Sequence, residues 1–278
     1  MTQRKCILLS LIIITSLYMN AQTSPAGRYA NVNGLHLYYE IHGRGKMPLV
    51  LLHGGGSTIE STYGRILPEL AQTHQVIAIE LQAHGHTPDI DRPLSFEQDA
   101  DDVAALLQQL HIEKADFMGF SNGGTTCLQI AIRHPALVHK LVLVSATYKR
   151  SGMPPGFFEG FPNATLANMP QPLQDAYLKA SPGNTKGLQA MFNRDVDRMM
   201  AFKDISDVDI KSITAPALVI NSDKDVVLPE HALELSRALP HAQLIILPGA
   251  HGECIGEICS ENTALPKLVV SMINTFLK

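Results

Sequence analysis

The chain has 278 residues, 45% of them apolar and 17% charged, with 22 Lys and Arg against 26 Asp and Glu and a formal net charge of −4. That length and apolar content can bury a full core, either as one large α/β domain with an insertion or as two small domains. Acidic and basic residues are interspersed, so no basic stripe follows a phosphate backbone and nucleic acid is not an expected partner.

Arg4 and Lys5 precede an apolar run from Cys6 to Met19, which gives way to the polar stretch Asn20 to Pro25. This layout predicts a secretory signal peptide over residues 1–21, cleaved after Ala21. The run is shorter than the roughly 20 residues of a spanning helix, and Ser10, Thr15 and Ser16 dilute it; an uncleaved anchor is the alternative. The expectation is a periplasmic or secreted protein with no stable membrane association once the signal is removed. Export would place Cys127, Cys254 and Cys259 in an oxidising compartment. Cys254 and Cys259 are close enough in sequence to pair, which leaves Cys127 as a small buried residue. No Cys/His spacing points to zinc.

In chain order, the turn Asn33-Gly34 leads into a strand over residues 35–41, an opening hairpin. Residues 49–52 form a continuous apolar run, as a strand buried on both faces requires, and it ends in His53-Gly54-Gly55-Gly56. A glycine loop at that place lets backbone N–H groups approach a ligand without side-chain interference. Residues 76–79 repeat the pattern and lead into Ala83-His84-Gly85-His86-Thr87, whose histidines lack a third ligand at helical spacing and read as loop residues. Ser95 and Gln98 form a capping-box pattern for a helix with apolar residues at 96, 100, 103, 107 and 110.

The apolar run 115–118 then stops at Gly119-Phe120-Ser121-Asn122-Gly123-Gly124. A glycine-framed serine between strand and helix reads as a nucleophile elbow, a strained turn in which flanking glycines remove side chains that would clash. The helix after it ends at His134-Pro135, and residues 141–144 supply another buried strand. Strands alternating with helices predict an α/β fold, a mostly parallel central sheet with helices on both faces.

Between residues 148 and 207 the rhythm breaks: six prolines mix with phenylalanines and methionines. This reads as a helical cap inserted over the end of the sheet, dividing the core into 22–147 and 208–278. Its apolar residues suit either a binding surface or the packing of a small subdomain. The alternation resumes with a strand at 217–220, Asp223 and Asp225, a helix opened by Pro229, a strand at 244–247, and His251. A last helix has a predicted apolar face at 265, 268, 269, 272, 273 and 276.

Four loops, carrying His53-Gly-Gly-Gly, Ser121, Asp225 and His251, each follow the carboxyl end of a predicted strand, where open α/β sheets bind ligands. From about Asn31 onward the chain resembles the α/β-hydrolase fold family of serine hydrolases, in its H-G-G-G loop, G-F-S-N-G-G turn and Ser…Asp…His order. Ala83 departs from that pattern, standing where many relatives have glycine.

The resemblance implies Ser121 as nucleophile, His251 as general base, and Asp225 as the residue that orients His251, with Asp223 competing for that role. It implies an oxyanion hole from the N–H groups of Gly55 and Asn122, with Gly56 the second choice for the glycine donor. The expected activity is hydrolysis of carboxylic esters or related small acyl substrates through an acyl-serine intermediate, with no cofactor and no metal. The same residues also serve carbon–carbon hydrolases and perhydrolases, or a low-turnover binding or signalling homologue, whereas a serine at the elbow excludes relatives that use aspartate there.

Overall fold

The computed structural model describes residues 27–261 and 263–278. The expected signal peptide and its cleavage point lie outside the described residues. Eight strands form one sheet: β1 Arg28–Val32, β2 Leu35–His42, β3 Pro48–Leu52, β4 Gln75–Glu80, β5 Ala115–Phe120, β6 Val138–Val144, β7 Ala217–Ser222 and β8 Ala242–Leu247. Their order across the sheet is β1-β2-β4-β3-β5-β6-β7-β8. The first two pairings are antiparallel and all the others parallel. Asn33 and Gly34 both have positive φ, 48° and 83°, the geometry that matches a two-residue hairpin to strand twist, and Val32 pairs with Leu35 across it.

The helices are α1 Ile59–Tyr63, α2 Leu67–Leu70, α3 Phe96–Gln109, α4 Asn122–Arg133, α5 Gln171–Ala180, α6 Thr185–Ala201, α7 Asp207–Ser212, α8 Pro229–Ala238 and α9 Leu265–Leu277. Successive side chains of a strand point to opposite faces, so the apolar runs are divided between two cores. Val50 and Leu52 pack with α3, α4, α7 and α8. Leu49 and Leu51 pack with α1, α2 and α9 on the other side.

Ser95 caps α3, its Oγ accepting from Gln98 N–H at 3.0 Å. The reciprocal half of the expected box is missing, because the Gln98 amide donates instead to buried Asp102, which also binds Arg92. The face of α9 matches expectation in part: Val269 and Ile273 are buried as expected, but so are Pro266, Val270 and Leu277, and Leu268 is 48% exposed. The helix is apolar on most sides, so periodicity alone does not fix its rotation.

The expected Cys254–Cys259 disulfide is not formed; Cys127, Cys254 and Cys259 are free thiols. Cys254 lies in a 3-10 turn, Glu253–Ile255, and packs into the core beside α9. The chain then reverses at Gly256, with φ of 71°, and reaches the surface, where Cys259 N–H donates to Glu257 Oε2. Closeness in sequence does not bring the two thiols to the same side of this turn.

Between β6 and β7 the described residues form no strand until β7 itself: 3-10 turns lead to α5 and α6, and α7 then returns the chain to the sheet. Two small apolar clusters hold this segment in place. One joins Met153, Phe158, Met199 and Phe202 to Phe96 and Val227; the other joins Met169, Tyr177, Leu188 and Met191 to Ala83.

Candidate active site

Strand order places the relevant loops side by side. β3 lies next to β5, with Leu52 opposite Gly119, and β6, β7 and β8 follow in turn. The glycine loop, Ser121, Ser145, Asp225 and His251 therefore succeed one another along the carboxyl edge of the sheet. The order also reverses between β3 and β5, since β4 lies to one side of β3 and β5 to the other, which opens a crevice there.

Ser121 has φ of 52° and ψ of −120°, a conformation that costs a side-chain-bearing residue roughly 1–3 kcal/mol. Its neighbours explain how the turn closes. A Cβ on Gly119 would lie 2.2 Å from Gly123 O, and one on Gly123 would lie 2.1 Å from Leu52 O, so neither position admits a side chain. The Ser121 hydroxyl makes no capping bond to α4, although it stands at that helix's N-terminus. It is thus left free, where unpaired N–H groups and the helix dipole favour negative charge.

His251 Nδ1 lies 2.7 Å from Asp225 Oδ1. A carboxylate only accepts, so Nδ1 carries the proton and Nε2 of the neutral ring is an acceptor. The ring packs against Phe120, with centroids 4.7 Å apart. Asp225 is fully engaged: Oδ1 also accepts Val227 N–H at 2.9 Å, and Oδ2 accepts the Ser145 hydroxyl at 2.6 Å. Burial opposes its ionisation, yet these donors and the His251 ring hold its carboxyl below the ordinary aspartate value. Asp223 is elsewhere, its Oδ1 accepting Gly249 N–H at 2.8 Å and so fastening the β8 loop.

At the glycine loop, buried His53 donates from Nδ1 to Gly54 O at 2.7 Å and accepts Leu81 N–H on Nε2 at 3.0 Å, which fixes a neutral tautomer. Desolvation, followed by the neighbouring His84 charge, pushes its pKa down to about 3. Gly56 N–H donates to Asp195 Oδ2 at 2.6 Å. The second-choice oxyanion donor is therefore already occupied. The N–H groups of Gly55 and Asn122 make no bond to another described residue.

Gly55, Gly56, Ser121, Asn122, Ser145 and His251 line a pocket of about 420 Å³. Its walls are mainly apolar and come largely from the segment between β6 and β7, including Met153, Phe157, Phe161, Leu173, Phe192 and Met199. Among the described residues, Asp195 and His251 are its only ionisable lining side chains.

The sequence profile that matches this chain is that of the alpha/beta hydrolase fold, over residues 47–205, more than half its length. The chain belongs to that family. This α/β-hydrolase is 28% identical to the human serine hydrolase BPHL over 249 residues, 82% of this chain and 81% of that protein. It is 29% identical to a 2-hydroxymuconate semialdehyde hydrolase from a Pseudomonas species over 266 residues, 85% of this chain and 90% of that one. Among solved structures, the enol-lactonase of Burkholderia xenovorans superposes with a TM-score of 0.71 at 22% identity, covering 90% of this chain and 99% of that one, a likeness of fold.

Two features of this α/β-hydrolase site are not legible from sequence motifs. Ser145 follows β6 with φ of 51°, a left-handed conformation that accompanies its reach to Asp225; its only sequence clue is its place after an apolar run. Asp195, on α6, also binds His84 Nε2 at 3.0 Å and Arg198, whose other arm reaches Asp99 at 2.9 Å. Burial opposes ionisation of Asp195, yet the His84 and Arg198 charges hold its carboxyl well below the usual range. The i, i+3 spacing of Asp195 and Arg198 is visible in the sequence, but their partners on other loops are not. His84 and His86 part company: His86 Nδ1 binds Glu80 at 2.8 Å, so the two share no ligand position. The Ala83 departure has a physical correlate, since Ala83 holds a left-handed φ of 69° that glycine adopts more readily.

Proposed function

We propose that this α/β-hydrolase is an exported serine hydrolase cleaving carboxylic esters or closely related neutral acyl compounds through an acyl-serine intermediate. The observation that carries this reading is the His251–Asp225 bond at the rim of the pocket into which the strained, uncapped Ser121 opens. Ser121 Oγ attacks the acyl carbon while His251 Nε2 takes its proton, and Asp225 holds the ring and stabilises the imidazolium. The carbonyl oxygen becomes an oxyanion received by the free N–H groups of Gly55 and Asn122. Collapse expels the alcohol with the proton from His251. Water activated by the same histidine then releases the acid and restores Ser121.

The pocket lining supports an uncharged, largely apolar acyl group. The muconate in the name of the Pseudomonas relative is a carboxylate, and no lysine or arginine among the described residues lines this pocket to receive one. Carbon–carbon hydrolysis by the same three residues is the second reading, favoured by that relative's name. A binding protein without turnover has no use for the strain at Ser121.

The test is hydrolysis of p-nitrophenyl esters of graded chain length by purified protein and by Ser121→Ala, with an organophosphonate as label. Turnover by the wild type, its near-complete loss in the folded variant, and one phosphonyl group on Ser121 are the expected results. Full activity in Ser121→Ala sinks the mechanism, and turnover confined to dienoate substrates replaces the ester reading with the carbon–carbon one. Export, read from the layout of residues 1–21, is tested by the mature N-terminus, expected at Gln22.

A further inference from the structure

Asp195 is out of place in its surroundings: a carboxylate among apolar walls, on the cap side of the pocket and 139 residues from the glycine loop it touches. Its two oxygens are fully used. Oδ2 accepts the Gly56 N–H and His84 Nε2, and Oδ1 accepts Arg198. Arg198 is itself buried and pinned to Asp99 on α3. The loop after β3, the loop after β4 and cap helix α6 thus meet at the Asp195 side chain, and Arg198 extends the network to helix α3.

A buried ion network of this kind is an expensive way to fasten a helix, because desolvation offsets much of the attraction and apolar side chains of similar volume hold as well. What apolar contacts do not provide is a directed acceptor at a fixed point. Here that point is the amide next to the proposed oxyanion donor. Gly56 has φ of 65°, so the loop turns there, and a Cβ on Gly55 would come within 2.5 Å of Asn122 Nδ2, which shows how tightly the two donor-bearing loops abut.

We propose that Asp195 is a positioning residue for the oxyanion hole: by taking the Gly56 N–H it fixes the glycine loop with the Gly55 N–H left for the developing oxyanion, and it makes cap helix α6 part of that loop's support. This inference rests on the acyl-serine reading above. Asp195 does not touch the reacting atoms. Its effect passes through the loop, so it is expected to act on the transition state more than on ground-state binding.

The experiment compares wild type, Asp195→Ala and Asp195→Asn on a p-nitrophenyl ester and on a trifluoromethyl ketone bearing the same acyl chain. Addition of Ser121 to the ketone carbon forms a hemiketal oxyanion that fills the hole. Loss of one oxyanion donor costs about 100- to 1000-fold in kcat, so misplacement of one is expected to cost about 10- to 100-fold. Asp195→Ala should lower kcat by that factor, leave KM within about threefold, and weaken the ketone in parallel with kcat. Asp195→Asn, which keeps an oxygen for Gly56 N–H, should recover most of both.

Circular dichroism and the thermal midpoint establish that each variant is folded. Should Asp195→Ala not fold, Asp195→Glu decides: it keeps a charge for His84 and Arg198 but displaces the acceptor oxygen, and ketone affinity equal to wild type overturns the proposal. Unchanged ketone affinity in folded Asp195→Ala overturns it too, as does an Asp195→Asn variant as damaged as the alanine. Wild type that neither turns over esters nor binds the ketone sinks the acyl-serine reading and this inference with it; active wild type with an unaffected alanine variant sinks only the inference.

Discussion

Asp223 and Asp225 are two residues apart on one loop, yet they do different work. Asp225 faces His251 while Asp223 fastens the Gly249 turn. Asp225→Asn keeps the shape but offers His251 Nδ1 the wrong partner, so turnover should fall by up to about 10⁴-fold, whereas Asp223→Asn should cost far less. Steady-state kinetics of the two folded variants check this, and the reverse order of damage refutes the assignment. Ser145 gives a second test. Its hydroxyl bond to Asp225 is charge-assisted, so Ser145→Ala should cost about 1.5–3 kcal/mol in urea unfolding at neutral pH. The same loss lets the Asp225 carboxyl rise toward its ordinary value. Because a depressed carboxyl contributes stability that is lost as pH falls through its folded pKa, the stability difference between wild type and Ser145→Ala should shrink below about pH 4. A difference that stays constant into acid argues that Ser145 is only a packing residue. Ser121, Asp225 and His251 are legible in the sequence because each lies on the loop or turn that follows a recognisable strand. Ser145 and Asp195 are not, because their meaning arises only where β6 meets β7 and where α6 meets the glycine loop.

The secondary elements show the same division between local and distant causes. Buried strands announce themselves as continuous apolar runs, and all of those expected form. Helix α9 does not announce its rotation, since apolar residues occupy both the expected and the observed faces. In the observed packing Ile273 is fully buried and Leu268 is largely exposed. Ile273→Ala should therefore cost about 2–5 kcal/mol and Leu268→Ala less than about 0.5 kcal/mol in urea unfolding. Similar losses for both would restore the face expected from periodicity. The free cysteines are a second correction at this scale. An unreduced digest should contain no Cys254–Cys259 cross-link, and all three thiols should react once the protein is denatured. In the folded state Cys127 and Cys254 should stay unmodified, since burial pushes their thiols up, that of Cys254 to about 12. Desolvation and then the Glu257 carboxylate raise Cys259 to about 12 as well, so even this exposed thiol should react slowly near neutrality.

For the whole molecule, the titratable groups buried where the segment between β6 and β7 meets the sheet are expected to set how stability responds to acid, and two of them oppose each other. His53 is neutral in the fold, with a pKa of about 3 against an ordinary value of about 6.5. Between those limits the unfolded chain binds a proton that the folded chain does not, so stability falls as pH falls. At about 1.4 kcal/mol per pH unit that gap is worth at most about 5 kcal/mol. Asp99 has the opposite sign: burial, only partly offset by Arg198, pushes its carboxyl up to about 6, so between about 6 and 4 the folded chain takes up the extra proton and stability rises as pH falls. That contribution is at most about 3 kcal/mol. His84, raised because Asp195 outweighs its burial, adds to the Asp99 side as pH falls. The two effects nearly cancel from pH 6 to 4, and unfolding free energy should change little there. Below about pH 4, Asp195 and Asp225 begin to take up protons first in the unfolded chain, nothing offsets His53, and stability should fall steeply. His53→Gln removes one side of this balance while keeping an acceptor for Leu81 N–H, so that variant should become more stable as pH is lowered from 7 to 5. Asp99→Asn removes the other side and should lose stability over the same interval. Urea unfolding of the three proteins at half-unit pH steps checks it. If both variants follow the wild-type profile, the titration of His53 and Asp99 does not govern the acid response, and the balance lies in the remaining carboxylates.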